Sequence, residues 1–291
     1  MTNSISNEKA INISQEPTNI GVSSIKKFIQ FNNQLGFYNC IYGIDYQRCL
    51  EYPVAFNQLA LNSEITSLLD IGTGKHSIFP LYVSYRYPGI TVRLTDWGNY
   101  VYKQLKRINN HKILKKQLYN SKIVIEKQDA TNLTYENDSF DRVSAISVIE
   151  HIPEDGDTLS VKEMYRVLKP NGRMVITVPY KFNDYEAKYR QRTTYFNKYK
   201  GEPIFFSHYY NDEALEKRLL QVVNGEIESI LYLVETEFPY FDFWCNKVPL
   251  RNTIKYFIGW INQLFALKYY KILNHEDRSK AHVAVITIIK R

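Results

Sequence analysis

An α/β protein with a doubly wound, mostly parallel sheet is the expected fold of this chain, and two features predict it. Short apolar runs of strand length alternate with helix-period segments from residue 67 to residue 179. The breaks between them are glycine- or proline-bearing turns, at Gly72-Thr73-Gly74, Pro88-Gly89 and Lys169-Pro170-Asn171-Gly172. Strands separated by helices need crossover connections, and crossovers make parallel sheets.

Residues 1–20 are polar and aperiodic and read as a disordered tail. Apolar residues at helical spacing over 21–62 (Ile25, Phe28, Ile29, then Leu50, Val54, Leu59) predict a helical cover ahead of the core. Residues 67–71 read as the first strand, running into the glycine turn, and 78–87 as a helix stopped at Pro88-Gly89. The second strand falls at 90–94, one long basic helix at 100–119, and the third and fourth strands at 122–126 and 142–148. A helix over 159–168 and a fifth strand over 173–178 close the core at Pro179. Beyond it the alternation stops. Residues 181–210 are basic and aromatic, followed by a helix over 212–223 and a strand over 228–234. An insertion over 235–280, carrying a helix at 252–273, precedes a last strand over 282–289. A single domain over 21–291 follows, made of the cover, a core over 63–180 and a C-terminal segment over 181–291.

Composition narrows the class. Hydrophobic residues make up 44% of the 291, which excludes wholesale disorder and a fibrous protein. The three cysteines, Cys40, Cys49 and Cys245, form no C-x-x-C pair, a usage that fits a reducing cytosol and argues against zinc or disulfide scaffolds. The N-terminus lacks a basic and apolar leader pattern. The most apolar stretch, 254–273, is interrupted by Lys255, Asn262, Gln263, Lys268 and Lys271, so it is not a spanning helix. A cytoplasmic location is expected. The formal charge of +7 matches a composition rich in lysine and no RNA-binding appendage is recognisable, so nucleic acid is not an expected partner.

In open α/β sheets, ligands bind beyond the carboxyl ends of the strands, where strand order reverses. Asp70, Asp96 and Asp129 fall at such ends. The turn Asp70-Ile71-Gly72-Thr73-Gly74 lets a ligand approach the backbone, because glycine has no Cβ to exclude it. A carboxylate at Asp96 suits the two hydroxyls of a ribose, and one at Asp129 suits the exocyclic amine of adenine. Together they describe an adenosine pocket. A dinucleotide fingerprint needs a third glycine at position 77, which is Ser77.

The later segments read Asp129-Ala130 with Leu133, Ser139-Phe140-Asp141 with Val143, Glu150-His151-Ile152, and Leu168-Lys169-Pro170 with Gly172. With the glycine turn, these motifs resemble the class I S-adenosylmethionine (SAM)-dependent methyltransferases over Leu68 to Pro179, about two fifths of the chain. The resemblance implies a Rossmann-like sheet of seven strands, the last antiparallel, with SAM as cofactor. It implies that Asp70, Gly72 and Gly74 contact the methionine part of SAM and that Asp96 holds the ribose. Trp97 would pack on the adenine and Asp129-Ala130 would read its edge; Ser147, after the fourth strand, is placed with these cofactor residues. His76 departs from the pattern, since many such enzymes carry glycine there; its side chain either narrows the pocket or reaches toward the methionine carboxylate. Relatives that bind metal carry Glu where Ser147 stands, so no metal is expected.

The resemblance implies a methyltransferase acting on a small-molecule or glycan acceptor, on oxygen, with residues 181–291 on the acceptor side. Methyl transfer from a sulfonium is an in-line displacement, and holding the reactants in line is worth up to ~7–11 kcal/mol. An oxygen acceptor must also lose a proton, for which His151 and His208 are the candidate bases. Glu150 is expected to support its loop. The helix over 252–273 packs over the sheet or caps the acceptor pocket; alternatively Trp260 and its lysines make a peripheral contact at the inner membrane face. A methyltransferase-like binding scaffold and an NAD(P)-dependent oxidoreductase are the competing classes.

Overall fold

The computed structural model describes residues 22–74, 78–191, 200–236, 238–240, 243, 247, 259–273 and 278–291. The expected tail, His76 and Ser77 in the glycine turn, Cys245, and much of the basic stretch around 192–199 lie outside the described residues.

The cover consists of α1 (Val22–Gln34), α2 (Phe37–Tyr42) and α3 (Tyr46–Gln58). Five strands then run parallel: β1 (Ser67–Ile71), β2 (Thr91–Asp96), β3 (Ile123–Lys127), β4 (Phe140–Ile146) and β5 (Leu168–Pro179). They are connected through α4 (Phe79–Arg86), α5 (Gln104–Asn110), α6 (Lys112–Tyr119) and α7 (Gly156–Val167). A separate antiparallel ribbon, β6 (Glu186–Arg190) with β7 (Ile204–Tyr209), follows in the basic, aromatic segment. The chain continues through α8 (Asp212–Leu215), β8 (Gly225–Glu235), α9 (Ile261–Tyr269), β9 (Tyr270–Leu273) and β10 (Ala281–Lys290).

The main sheet has the order β3-β2-β1-β4-β5-β10-β8-β9. Among the described residues it therefore has eight strands, not the seven expected, while the last strand, β10, is antiparallel to β5 as expected. The added strand is β9, whose residues were expected to end a helix over 252–273. That helix stops at Tyr269, and the next four residues pair with β8, Glu235 opposite Tyr270 and Tyr232 opposite Leu273. Pairing covers the open edge of β8, and Tyr270 stacks on Tyr46 of the cover at 5.0 Å. Ile254, Phe257 and Ile258, at the start of the apolar stretch over 254–273, lie outside the described residues. Within α9 the buried face is Asn262, Gln263 and Ala266, whereas Leu264 and the preceding Trp260 face outward.

The long basic helix is also interrupted. A 3-10 turn over Asn99–Lys103 leads into α5, and His111 adopts an extended conformation before α6. His111 accepts the Leu114 N–H through Nδ1 and caps α6, and its ring packs near Phe31 and Tyr85. The break lets α5 turn toward the cavity described below while α6 packs against the sheet.

Strand alternation divides the core into two layers. Leu68, Val92, Leu94, Val175 and Val285 face the cluster that includes α1, α3 and α4, while Leu69, Val143, Met174, Ile176 and Ile286 face α7. The fingerprint residue Asp141 is structural. Its carboxylate accepts from the Thr66 and Ser67 N–H groups and hydroxyls and from Lys169, holding its pKa below the carboxylate range despite the opposing effect of burial. Two motifs, one at the start of β4 and one opening β5, are thus joined by one ion pair.

Helix α3 lies along β4 and β5. Its last carbonyls are taken by arginines of those strands, Leu59 by Arg142 Nε (2.6 Å) and Gln58 by Arg173 Nη1 (2.9 Å), where a cation also complements the helix dipole. One turn from its start, the same helix sends Glu51 inward to the carboxyl ends of β4 and β5.

Candidate functional site

Strand order reverses at β1, which lies between β2 and β4. A cavity of about 640 Å³ opens there beyond the strand ends, a volume typical of small-molecule sites. Asp70, Gly72, Gly74, Asp96, Trp97, Asp129, Ala130, Ser147 and His151 all line it. The cover supplies the opposite wall, with Asn39, Tyr42, Arg48 and Tyr52.

Gly72 sits at φ +65°, and a Cβ there would lie 2.2 Å from Val148 Cγ1, so the turn needs glycine for both conformation and space. The Asp70 carboxylate is buried and accepts from Thr73 Oγ1 (2.7 Å) and Ser144 Oγ (2.6 Å). Burial raises its pKa to about 7, against the effect of those two bonds, and the nearby Asp96 adds to the rise. Asp96 accepts from the Gly74 N–H (2.8 Å) and reaches Gly98 N–H at 3.3 Å, which ties the end of β2 to the glycine turn. Asp129 takes the Thr131 N–H and hydroxyl on Oδ1 (2.9 and 2.8 Å), and Trp97 is half exposed beside Lys127. A carboxylate for a diol, an aromatic face and an acid at the far edge form a cradle that a nucleoside fits.

Ser147 adopts a left-handed conformation (φ +47°), held by its N–H to Thr177 O (3.0 Å) and Oγ1 (2.9 Å). Its hydroxyl donates to Glu51 Oε1 at 2.6 Å, an oxygen also bonded by the Thr177 hydroxyl, while Arg48 takes Glu51 Oε2. Glu51 is completely buried. It was not among the residues anticipated from sequence, although an acid inside the run Leu50-Glu51-Tyr52-Pro53-Val54 is a signal of a paired buried charge.

His151 donates Nδ1–H to the Phe206 carbonyl (2.7 Å); since a carbonyl only accepts, the proton is on Nδ1 and Nε2 carries the lone pair. Burial lowers its pKa to about 4, with Arg48 and Arg190 contributing in the same direction, so the ring is neutral at pH 7. His208 is elsewhere. It lies in β7, buried, with Nδ1 2.6 Å from the Tyr185 hydroxyl, and is not among the residues lining the cavity. Glu150 is buried, with Oε1 3.7 Å from His151 Nε2, and burial pushes its pKa up to about 8, so it is protonated at neutral pH.

The Glu150 shift has a definite sign. The folded state keeps a proton that the unfolded chain has lost, so stability falls as pH rises from about 4.5 to about 8, by at most ~1.4 kcal/mol per pH unit for one group. Asp70 acts in the same sense up to about 7. His151 acts oppositely, but only below its unfolded value near 6.5. Urea unfolding at pH 6.5 and 8 therefore isolates the acids: Glu150→Gln is expected to lose less stability over this interval than the parent. Equal losses would show that Glu150 is ionised in the fold.

Residues 69–176 match the family described as a methyltransferase domain. A curated protein, "Methyltransferase GfsG" of Streptomyces halstedii, is 46% identical over 48 residues, spanning 16% of this chain and 16% of that protein. Among solved structures, the [4+2]-cyclase SpnF superposes with a TM-score of 0.53 at 15% identity, covering 94% of each chain. The MccD protein superposes with a TM-score of 0.50 at 14% identity, covering 83% of this chain and 96% of that one. At these identities the structures speak for the fold alone. The match thus places a methyltransferase domain over residues 69–176. Its cofactor is S-adenosylmethionine, and the cradle described above fits that group.

Proposed function

We propose that the protein transfers the methyl group of SAM to an oxygen of a small-molecule or glycan acceptor, as one domain over 21–291 in which residues 181–291 lie on the acceptor side. The observation that carries this reading is the convergence of Asp70, Asp96, Asp129, Ser147 and His151 on one cavity at the point of strand reversal. Bound SAM supplies an electrophilic methyl on a sulfonium. Asp96 accepts from the ribose hydroxyls, Trp97 covers a face of the adenine, and Asp129-Ala130 reads its edge. Asp70, Gly72 and Gly74 hold the methionine end, with Ser147 across from them. His151 takes the acceptor proton on Nε2, the nitrogen left basic by the Phe206 contact. A base held near 4 serves an acidic hydroxyl, such as a phenol, enol or carboxylic acid, better than a simple alcohol. His208, outside the cavity, supports β7, the strand that orients His151 through Phe206.

Calorimetric titration with SAM, S-adenosylhomocysteine and NAD tests the reading. Micromolar binding of the first two without the third supports it; preference for NAD, or no binding of SAM, overturns it. Asp96→Ala is expected to weaken S-adenosylhomocysteine by about 1–3 kcal/mol, and unchanged affinity would remove the ribose assignment.

The similarity to a [4+2]-cyclase is a specific reason to keep a second reading, in which the pocket binds SAM but the reaction differs, because one fold hosts many chemistries. Transfer of label from methyl-labelled SAM separates the two. The expected peripheral membrane contact is supported by the outward Trp260 and Leu264 (44% and 56% exposed) and by Lys268 beside them. Co-sedimentation with anionic vesicles is expected, and should fall when both apolar residues are replaced by serine.

A further inference from the structure

Helix α2 is built of apolar residues that the fold does not bury. Phe37, Tyr38, Cys40, Ile41 and Tyr42 make up all of it but Asn39, yet none is buried, and Phe37 and Tyr38 are 75% and 80% exposed. A helix this short is held by packing of its apolar side chains, so one left open to water marks a contact surface. The surface continues onto α9. The Trp260 N–H donates to the Ile41 carbonyl (3.2 Å), and a Cβ on Gly43 would lie 2.9 Å from Trp260 N and Cα, so α2 ends against the start of α9. From there Trp260, Leu264 and Lys268, spaced by four, face outward along one side of α9, with Lys271 exposed beyond them in β9.

Charge indicates what covers this face. Residues 22–44 and 259–273 hold Lys26, Lys27, Lys268 and Lys271 and neither Asp nor Glu, in a chain with 30 acids. All four lysines are exposed, and α1, which carries the first two, packs against α2. The first acid beyond α2 is Asp45, at the N-cap of α3. Exposed aromatic and aliphatic side chains with lysines and no acid fit an anionic bilayer, where rings enter the acyl boundary and ammonium groups meet lipid phosphates. A second copy of the same face would instead set lysines against lysines.

The face also adjoins the cavity. Tyr42 and Gly43 line it on the cover side, and Gly43 is the residue against which Trp260 packs. We propose that the α2–α9 face docks on an anionic lipid surface and that the methyl acceptor is an amphiphile drawn from it, its polar head entering beside Tyr42 and Gly43 and its tail remaining along Phe37 and Tyr38. The proposal rests on the methyltransferase reading and the peripheral contact above, and narrows both. It adds α2 to the contact and makes the acceptor a lipid-soluble molecule.

The test has two arms, both on the full-length protein. In the first, it is sedimented with vesicles of phosphatidylcholine alone or mixed in equal parts with phosphatidylglycerol. The parent is expected to bind the anionic vesicles about tenfold more tightly or better, a preference that Lys268→Gln/Lys271→Gln reduces. Phe37→Ser/Tyr38→Ser, which touches no residue of the cofactor cradle, is expected to lose binding by about tenfold, with the Tm and S-adenosylhomocysteine affinity of the parent. In the second arm, protein saturated with S-adenosylhomocysteine is titrated with 4-hexylphenol and 4-ethylphenol. The longer chain is expected to bind about tenfold more tightly, and to lose that advantage in Phe37→Ser/Tyr38→Ser while 4-ethylphenol is unaffected. Equal binding to the two vesicle types, undiminished binding by the Phe37→Ser/Tyr38→Ser variant, or equal affinity for the two phenols overturns the proposal. So does a dimer in sedimentation equilibrium that the same variant dissociates, because the face would then belong to a second copy. If Trp260→Ser/Leu264→Ser alone lowers sedimentation, the peripheral contact stands and the proposal falls. If S-adenosylhomocysteine does not bind, the methyltransferase reading fails, and both arms on the unloaded protein still decide the face.

Discussion

Replacing Glu51 with alanine is expected to destabilise the protein by about 3 kcal/mol, a fall in Tm of roughly 6–12 °C for a domain of this size. Glu51 is completely buried and is the common acceptor for Ser147, Thr177 and Arg48. Alanine leaves two hydroxyls without their acceptor and a guanidinium without its counter-ion in a partly desolvated wall. Truncating one member of such a network costs more than the network contributes, because the remaining partners keep their desolvation cost. Arg48 faces the cavity and retains access to water, which holds the expectation below the ~5 kcal/mol upper end for a fully enclosed pair. The loss should fall on cofactor binding as well, since Glu51 ties α3 to Ser147 in the loop after β4. Calorimetric melting with and without S-adenosylhomocysteine measures both. A change in Tm under 2 °C would mean that the cover does not depend on this contact.

Gly72→Ala is expected to reduce affinity for S-adenosylhomocysteine by at least a hundredfold. The left-handed backbone alone costs a non-glycine residue about 1–2 kcal/mol. The larger cost is steric: the new Cβ would lie 2.2 and 2.6 Å from the two Val148 methyls and 2.9 Å from Val148 Cβ. Val148 cannot simply rotate away from all three atoms, so the β4 loop carrying Ser147 and His151 must shift. Two companions separate these contributions. Gly74→Ala has the same positive φ, but its nearest neighbour is the Gly72 carbonyl oxygen at 3.9 Å, so its effect on stability should be limited to the backbone term of about 1 kcal/mol. Val148→Ala in the Gly72→Ala background removes the methyl contacts and should recover part of the binding. If Gly72→Ala and Gly74→Ala melt alike, the steric account fails.

The parallel core was legible because its signals are local. Strand-length apolar runs, a glycine turn and the Lys169-Pro170-Asn171-Gly172 break each carry their meaning within a few residues, and parallel strands with crossovers allow few arrangements. The acidic wall of the cavity was legible for the same reason: Asp70, Asp96 and Asp129 fall at or just after the carboxyl ends of strands, and strand ends at a reversal point face one space. Asp141 and Lys169 were legible as motif members but not as partners, since 28 residues separate them and only the pairing of β4 with β5 brings them together.

Residues that act across long separations were not legible. Glu51 meets Ser147 and Thr177 across 96 and 126 positions, and nothing in the spacing of its helix announces those hydroxyls. His151 and His208 looked equivalent as candidate bases, and the β6–β7 ribbon distinguishes them by giving one a fixed tautomer on the cavity wall and burying the other against Tyr185. The eighth strand depended on an open edge of β8 that exists only once the sheet has formed. By itself the sequence determined the parallel core, the glycine turn and the three strand-end acids, because propensity, periodicity and turn chemistry act within a few residues. Tertiary structure alone decided the latch of the cover and the proton on His151, because both depend on groups that meet only after distant segments have packed.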